Sequence, residues 1–388
     1  MGPFDLNIRH LRAVAAIVQS GSISAASQIV NLTQPAITQG IAKLERQLGL
    51  PLFERRSAGM APTEAAMMLA PRVEAAVRLM DARHATAAQI SAFLALARQG
   101  SYAAAASVTG LSEPSLHRSV GELSLVIGQP LVERRGRGIA LTHRGTQVAR
   151  AFRLGEAELR SALDELAMLQ GREVGRITVG AMPLSRARIL PEVVTDFHAR
   201  HPETGIAIIE GSYTELVGPL RDGELDLMVG ALRLGGGEEG LIHYPLFQDR
   251  PVIIGRAGHP LAGRGDDLKL SEMALYPWIT AAAGTPLRAQ WQAMFEAEGV
   301  SVPRVPIECG AVMMIRQILR ETDFLTLLSP DQVAVELEAD WLVKIADAPG
   351  DVARSIGVTT RFDWRPTPLQ RAFLETLRVK SEHICSEA

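Results

Sequence analysis

Residues 31–56 read NLTQPAITQGIAKLERQLGLPLFERR, and residues 110–135 read GLSEPSLHRSVGELSLVIGQPLVERR. The second stretch repeats the plan of the first without a gap, at a constant separation of 79 residues, so that Pro35 corresponds to Pro114. A repeat of this kind predicts one small structural unit that occurs twice in the chain, here called copy one and copy two.

Each copy has the pattern of three helices followed by a hairpin. The third helix of copy one carries four apolar residues on one face, namely Ile37, Ile41, Leu44 and Leu48. The matching residues of copy two are Leu116, Val120, Leu123 and Ile127. Thr33 is the expected N-cap, Pro35 fits the first turn, and Gly49 ends the helix. The pattern predicts a helix-turn-helix, and the strand-turn-strand that follows predicts a wing.

The length of 388 residues predicts two to four domains. They are copy one with its trailing helix (1–83), copy two (84–142), a linker helix (143–172) and an α/β domain (173–388). The linker helix is long enough to reach beyond its own unit, as a dimerisation helix does. The α/β domain alternates strands and helices, which predicts two lobes with parallel sheets, about 173–250 with the C-terminal segment and about 251–350. The predicted fold class is therefore multidomain, with two all-α winged helix-turn-helix domains and a two-lobed α/β domain.

Composition and charge narrow the classes of function. Apolar residues make up 47% and charged residues 21% of the chain, which is typical of a globular protein. Since the sequence shows no bilayer-length apolar run and no secretion signal, we expect a cytoplasmic protein without a membrane partner. Residues 1–150 hold 16 Lys and Arg against 9 Asp and Glu, which favours nucleic-acid contact at one end. Cys309 and Cys385 lack metal-ligand spacing, so we expect no metal site, no disulfide and no cofactor.

The polar face of the third helix and the wing of each copy carry the residue types that bind DNA. Gln34 can make paired hydrogen bonds to adenine, hydroxyl groups reach bases or phosphates, and wing arginines meet phosphates. The candidates in copy one are Thr33, Gln34, Pro35, Thr38, Gln39, Lys43, Arg55 and Arg56. Those in copy two are Ser112, Ser115, His117, Arg118, Arg134, Arg135 and Arg137. A small helical bundle with a solvated polar face is the alternative, and two gapless copies favour DNA binding over it.

The motif GSISAAS followed by LTQPAITQGIAKLERQLGLPLFER resembles the N-terminal signature of LysR-type transcriptional regulators. Removal of one 79-residue copy leaves 309 residues, close to the ordinary length of that family. The resemblance implies a winged helix-turn-helix, a dimer-forming linker helix and a two-lobed effector domain similar to periplasmic binding proteins. It also implies a homo-oligomer, either dimer or tetramer, with double-stranded DNA, a small-molecule effector and RNA polymerase as partners.

The resemblance places the effector between the two lobes. In each lobe, a segment after a strand opens a helix and offers N–H groups together with a hydroxyl side chain, which suits carboxylates and sugar hydroxyls. The expected effector-binding residues are Met182, Ser185, Arg186, Gly284, Thr285 and Arg288. Ordinary N-capping explains either segment alone, but two segments in equivalent places favour ligand binding.

Four further stretches resemble a narrower branch of the family, the galactose-binding-protein regulators. They read PVIIGRAGHPLA, IECGAVMMIRQIL, DFLTLLSPDQVAVEL and IGVTTRFDWRPT. This resemblance implies a sugar or sugar acid as the inducer, with small carboxylic acids as the other class to test.

The duplication departs from the family pattern, and the two copies differ. Copy one keeps the family's recognition helix, whereas copy two keeps the basic wing but has Glu113 in place of Gln34. We therefore expect copy one to read bases and copy two to add phosphate contacts. Copy two also has Leu125 and Val126 where copy one is charged and polar. This pair is expected to pack against copy one, the helix at 64–83 or another subunit.

Two other functions were weighed against a regulator. A solute-binding protein would explain the two lobes, but it would need export and would leave residues 1–150 without a purpose. A small-molecule enzyme would be indicated by a nucleophile elbow, a phosphate-binding glycine loop, an HExxH helix or paired CxxC motifs, none of which the sequence contains. We therefore expect a regulator that is not an enzyme.

Overall fold

The computed structural model describes residues 2–56, 59–81, 84–136, 138–233 and 239–387. Two winged helix-turn-helix units lead through a long helix into an α/β domain of two lobes, which is the predicted fold class. Within these ranges, no helix is both long and apolar enough to span a membrane.

Copy one consists of three helices, a hairpin and a trailing helix. They are α1 (Ile8–Ser20), α2 (Ile23–Val30), α3 (Gln34–Leu48), β1 (Phe53–Arg56), β2 (Gly59–Pro62) and α4 (Glu64–Met80). The Thr33 hydroxyl accepts from the N–H of Ala36 at 3.4 Å, and Gly49 ends α3 in the left-handed conformation with φ 70°. All four apolar residues of the predicted stripe are buried, which confirms the predicted helix-turn-helix.

Copy two repeats every element 79 residues later. Its elements are α5 (Ala87–Gln99), α6 (Tyr102–Thr109), α7 (Glu113–Ile127), β3 (Val132–Arg135), β4 (Gly138–Leu141) and the linker helix α8 (His143–Leu169). Three residues of the predicted α7 stripe are buried, and Ile127 is half-buried. The final helix is longer in copy two, with 27 residues in α8 against 17 in α4, so α8 extends beyond its own unit.

The helices α4 and α8 pack against each other in opposite directions. Arg72, in the middle of α4, binds Glu165 near the end of α8, whereas Met80 at the end of α4 contacts Gly155 in the middle of α8. A Cβ atom at Gly155 would lie 2.5 Å from Met80 Cγ and 3.2 Å from the Ala76 carbonyl oxygen. This close approach therefore requires glycine, and both copies share one hydrophobic core around the helix pair.

The α/β domain begins in lobe I, crosses to lobe II and returns. The first part of lobe I comprises β5 (Gly175–Ala181), α9 (Ile189–Arg200), β6 (Thr204–Glu210), α10 (Tyr213–Arg221), β7 (Leu227–Ala231) and β8 (Leu241–Asp249). Lobe II comprises β9 (Val252–Arg256), α11 (Leu270–Met273), β10 (Trp278–Thr280), α12 (Pro286–Ala297), β11 (Ile307–Glu308), α13 (Val312–Glu321), β12 (Leu325–Leu328), α14 (Ala334–Glu338) and β13 (Leu342–Asp347). The return to lobe I comprises β14 (Arg354–Arg361) and α15 (Pro368–Glu387).

The two sheets have the same strand plan, β6-β5-β7-β14-β8 in lobe I and β11-β10-β12-β9-β13 in lobe II. As predicted, β5 is parallel to β6 and β7, and β10 is parallel to β11 and β12. The prediction that β9 opens a second parallel series is wrong, because β9 is antiparallel to β12 and β13. Its direction is reversed because the chain enters lobe II straight from β8, through the short link Arg250–Pro251.

The chain crosses between the lobes twice, from β8 to β9 and from β13 to β14. Arg354 donates to the Asp249 carboxylate at 2.6 Å, and Arg250 donates to the Gly350 carbonyl oxygen at 3.0 Å. The two crossings are thus bound to each other, and together they form the hinge of a two-lobed clamp.

Candidate DNA-binding surface and effector cleft

The exposed face of α3 carries the side chains predicted to read DNA. Exposed residues in the N-terminal part of α3 and its cap are Thr33, Gln34, Pro35, Thr38 and Gln39. The Thr38 hydroxyl donates to the Gln34 carbonyl oxygen at 3.0 Å, so its lone pairs remain available to accept a further bond. A helix that is anchored on its apolar side and polar on the other can place its N-terminal residues at base edges in a major groove.

Lys43 lies apart from this face. It is nine residues after Gln34, which is half a turn away around the helix axis. It is exposed and lines a groove of about 440 Å³ together with residues of copy one around Asn7 and residues 85–88 of copy two. The structure therefore places Lys43 at the junction of the two copies.

The corresponding face of α7 differs in chemistry. Ser112 caps the helix by accepting from the N–H of Ser115 at 3.4 Å. The His117 ring is stacked on Tyr102 of α6, with 3.5 Å between ring centroids, and Arg118 is exposed beside it in sequence. Copy two thus presents a fixed imidazole and a guanidinium where copy one has a hydroxyl and an amide.

Each wing is a two-stranded antiparallel hairpin directly after the third helix. Arg134 and Arg135 on β3 are exposed, as a phosphate contact requires. For Arg55 and Arg56 the structure describes the backbone alone, and Arg137 lies outside the described residues. The phosphate contacts of both wings stay predictions.

The expected packing of Leu125 and Val126 within the chain is wrong. Leu125 is 82% exposed and Val126 is 40% exposed at the C-terminal end of α7. The physical reason is that the two positions lie outside the buried stripe of α7. The third expectation, packing against another subunit, stays a prediction.

A buried ion network joins α4, α8 and lobe I. Arg72 is 6% exposed and donates to both carboxylate oxygens of Glu165, to Glu158 at 3.2 Å and to the Arg365 carbonyl oxygen at 2.8 Å. Arg365 in turn binds Glu158 at 2.6 Å and the Pro71 carbonyl oxygen at 3.2 Å. The network therefore links the DNA-binding part of the chain directly to the effector domain.

A second polar contact between α8 and lobe I involves two half-buried carboxylic acids. Burial raises the pKa of Asp164 on α8 to about 7, against the opposing charge of Arg160. Burial also raises the pKa of Asp226, at the start of β7, to about 6, although the Thr178 N–H donates to it at 2.7 Å. The contact is therefore sensitive to pH in the neutral range.

The predicted effector residues do not come together in one cavity. Ser185 is fully buried and its hydroxyl donates to the Met182 carbonyl oxygen at 2.9 Å, while Met182 packs inside lobe I. Thr285 caps α12. In the first turn of that helix, the Arg288 guanidinium lies 4.9 Å from the Trp291 ring centroid and donates to Thr280. The expectation that Ser185 offers its hydroxyl to a ligand therefore does not fit this geometry. Gly284, the remaining predicted residue, lies in the exposed turn before α12.

A cleft of about 530 Å³ lies between the lobes at the carboxyl ends of the first strands. Its lining from lobe I consists of Pro183, Arg186, Ala187 and Glu210, and its lining from lobe II consists of residues 310–313, Arg316, Asp331, Gln332 and residues 334–336. Of the predicted effector residues, Arg186 is the one that lines this cleft among the residues the structure describes.

Two arginines from opposite lobes lie in this cleft, each held by a carboxylate. Arg186 is 3.1 Å from Glu210, and it also donates to the Ala181 carbonyl oxygen at 3.1 Å. Arg316 on α13 donates to Glu336 at 2.7 Å. The first turn of α13 also lines the cleft with N–H groups that have no acceptor within a helix. Sequence reasoning missed Arg316, because residues 310–313 at the start of α13 carry no hydroxyl side chain of the kind that marks the other two segments.

Two winged helix-turn-helix units, a long linker helix and a two-lobed α/β domain with a cleft define a DNA-binding regulator with a ligand-binding domain. Residues 170–381 match the LysR substrate binding domain. Residues 8–67 and residues 87–146 each match the bacterial regulatory helix-turn-helix protein of the lysR family. The chain belongs to the LysR family of transcriptional regulators.

Relatives of known name support this membership. The chain is 30% identical over 385 residues to the HTH-type transcriptional regulator GalR of Pseudomonas putida, and the match covers 96% of each chain. It is 28% identical over 289 residues to the regulator PcaQ of Agrobacterium fabrum, covering 74% of this chain and 93% of PcaQ. It is also 28% identical over 226 residues to the regulator GbpR of Azospirillum brasilense, covering 58% of this chain and 66% of GbpR.

Solved structures share the fold. CbnR, a LysR family transcriptional regulator, matches with a TM-score of 0.54 at 20% identity, covering 76% of this chain and 98% of CbnR. A variant of full-length OxyR from Pseudomonas aeruginosa matches with the same TM-score at 19% identity and the same coverage.

Replacing Arg72 tests the ion network. In Arg72→Met, the buried carboxylate of Glu165 loses its cation while Glu158 keeps Arg365, so the free energy of unfolding should fall by about 3 kcal/mol. The matched control is Arg78→Met, an exposed arginine on the same helix, which should change it by less than about 0.5 kcal/mol. Adding Glu165→Gln to Arg72→Met should restore part of the loss in a urea titration. Equal stability of the two single variants would show that the network contributes nothing.

Replacing Asp164 tests the pH-sensitive contact. Because its folded pKa of about 7 lies above the unfolded value of 3.8, the folded protein binds the extra proton, and stability is lost as pH rises through this window. At pH 8, the free energy of unfolding of Asp164→Asn should therefore exceed that of the parent by about 2 kcal/mol, and near pH 4 the two should be equally stable. The exposed Asp351→Asn is the control, with no pH-dependent difference expected. A constant difference between parent and Asp164→Asn across this range would contradict the assignment.

Proposed function

We propose that the protein binds specific duplex DNA through its two third helices and that a small anionic molecule in the inter-lobe cleft controls this activity. The observation that supports the DNA-binding part best is the exposed polar face of α3, opposite a fully buried stripe. An amide such as that of Gln34 pairs with adenine, and the exposed arginines of β3 are available to phosphates.

The chemistry of the cleft favours a ligand that carries a carboxylate. Arg186 and Arg316 approach it from opposite lobes, and the first turn of α13 adds N–H donors. Glu210, Asp331 and Glu336 also line the cleft and can accept hydrogen bonds from ligand hydroxyls. A sugar acid combines both groups, and a small carboxylic acid supplies the first alone. A neutral sugar would leave the arginines to their present carboxylate partners.

The proposal also covers localisation, oligomeric state and the protein partner. The protein acts in the cytoplasm, where bacterial DNA is found, as a homo-oligomer of two or four chains that affects RNA polymerase. The LysR relatives named above are regulators, which supports a regulator rather than an enzyme or a transported solute-binding protein.

Two substitutions separate base reading from phosphate binding. Gln34→Ala should weaken binding to the best site selected from random duplexes by about 1–3 kcal/mol and relax one base position, without affecting random DNA. Arg135→Ala should weaken selected and random DNA alike and lower the slope of log affinity against log salt by about one unit. Gln317→Ala, an exposed glutamine of lobe II, is the control and should change neither. An equal loss of Gln34→Ala on random DNA would remove Gln34 from base reading.

Thermal shift with matched ligand pairs tests the effector part. Sugar acids and small carboxylic acids should raise the melting temperature, and the corresponding neutral sugars should not. Arg316→Gln should reduce the affinity for an active acid by about tenfold or more, since charge-assisted bonds to carboxylates are strong. Arg320→Gln, one turn further along α13 and stacked on Trp341, is the control and should bind normally. A response to neutral sugars that is unchanged in Arg316→Gln would contradict the proposed ligand class.

A further inference from the structure

The two copies are related element by element, with the same caps at the same places. Thr63 and Thr142 each donate to the carbonyl of a proline before the hairpin, at 2.8 Å in both copies. Gly49 and Gly128 each end the third helix in the left-handed conformation, with φ 70° and 78°. The copies are thus the same folded unit, and their mutual arrangement can be described by comparing equivalent residues.

One contact between the copies joins equivalent positions on the helix pair. Ala76 on α4 and Gly155 on α8 are 79 residues apart in the sequence, so they occupy the same place in the two units. They meet where the antiparallel helices cross, with the ideal Cβ position of Gly155 at 3.2 Å from the Ala76 carbonyl oxygen. A position that touches its own equivalent must lie next to a two-fold axis.

Equivalent segments also face one groove at the beginnings of the two units. Residues 6–9 of copy one and residues 85–88 of copy two are equivalent, and together they line the groove of about 440 Å³ between the copies. Ile8 and Ile90 also line one small cavity beside it. A contact between equivalent positions and a groove lined by equivalent segments indicate an isologous arrangement, which is the arrangement of a symmetric dimer, here within one chain.

The effector domain docks on this pair asymmetrically. Arg72 of α4 binds the Arg365 carbonyl oxygen of lobe I, and its equivalent on α8 is Ala151, which carries no such group. The two winged units of one chain therefore form the pair by themselves. The effector domain of the same chain binds on the α4 side of this pair.

The two recognition surfaces have different chemistry. The exposed residues Gln34, Thr38 and Gln39 correspond to Glu113, His117 and Arg118. Glutamine pairs with adenine, arginine pairs with guanine, and a carboxylate accepts from the amino group of cytosine. A dimer of identical helix-turn-helix units reads two identical half-sites in inverted orientation, so a pair of unlike units reads two unlike ones.

We propose that a single chain is a complete two-site DNA reader, whose operator consists of two inverted half-sites of different sequence, one bound by α3 and the other by α7. The inference rests on the proposed DNA-binding function and adds what each copy binds. A dimer of chains then carries two such readers, and with them four recognition helices.

The test is to make the second reader resemble the first. In the full-length chain, the triple variant Glu113→Gln, His117→Thr and Arg118→Gln gives α7 the side chains of α3 at three exposed positions. Parent and variant are each used to select duplexes from a random pool. The matched control, Leu125→Arg with Val126→Gln, gives α7 its copy-one residues at the other, exposed end of the same helix. Melting temperatures of all three proteins establish that they are folded.

We expect the parent and the control to select the same site with two unlike halves. The triple variant should select a site whose halves have become alike, and it should bind the parental site at least tenfold more weakly. Native mass spectrometry of the parent with its site should show one duplex bound per chain, whatever the number of chains in the complex. If the triple variant selects the parental site with parental affinity, α7 reads no half-site and the inference is wrong. If the parent selects no sequence at all, the proposed DNA-binding function itself fails, which is a different result.

Discussion

At Gly155 the lack of a side chain lets the backbone of α8 approach Ala76 of α4, and the arrangement of both winged units follows from this crossing. Any larger residue would meet the Met80 side chain and crowd the Ala76 carbonyl, so that Met80 and the local backbone would have to shift. Since each helix is continuous with one wing, their crossing sets the positions of α3 and α7 relative to each other. The shared hydrophobic core then makes the pair a rigid unit.

The effector domain is bound to this pair by polar groups rather than by apolar area alone. Arg72 satisfies two carboxylates and one carbonyl group at a buried site, which makes the contact sensitive to small displacements. Asp164 and Asp226 add a contact whose charge changes near neutral pH. A change in the angle between the lobes moves lobe I relative to lobe II. Lobe I contributes the Arg365 carbonyl and Asp226 to these contacts. The network therefore lies between the cleft-bearing domain and the DNA-binding helices.

The helix-turn-helix units could be predicted from sequence because each helix, cap and helix end depends on residues that are close together in the chain. The stripe from Ile37 to Leu48, the cap at Thr33 and the ending at Gly49 are read from neighbouring residues, and all are present. The ion network could not be predicted, since Arg72 and Glu165 are 93 residues apart and Arg72 and the Arg365 carbonyl are 293 apart. Ser185 shows a second limit: the sequence marks a turn, but the direction of the hydroxyl depends on packing inside lobe I.

The two recognition helices α3 and α7 form a fixed pair within one chain. Arg46 on α3 and Leu125 on α7 are equivalent, exposed positions, so both can carry spin labels through Arg46→Cys and Leu125→Cys in a Cys309→Ser, Cys385→Ser background. The distance between the labels is then measured by double electron–electron resonance, with and without an excess of unlabelled protein. We expect one narrow distance between the labels that persists on dilution with unlabelled protein, because both labels belong to one rigid pair. A distance that vanishes on dilution, or a broad distribution, would contradict it.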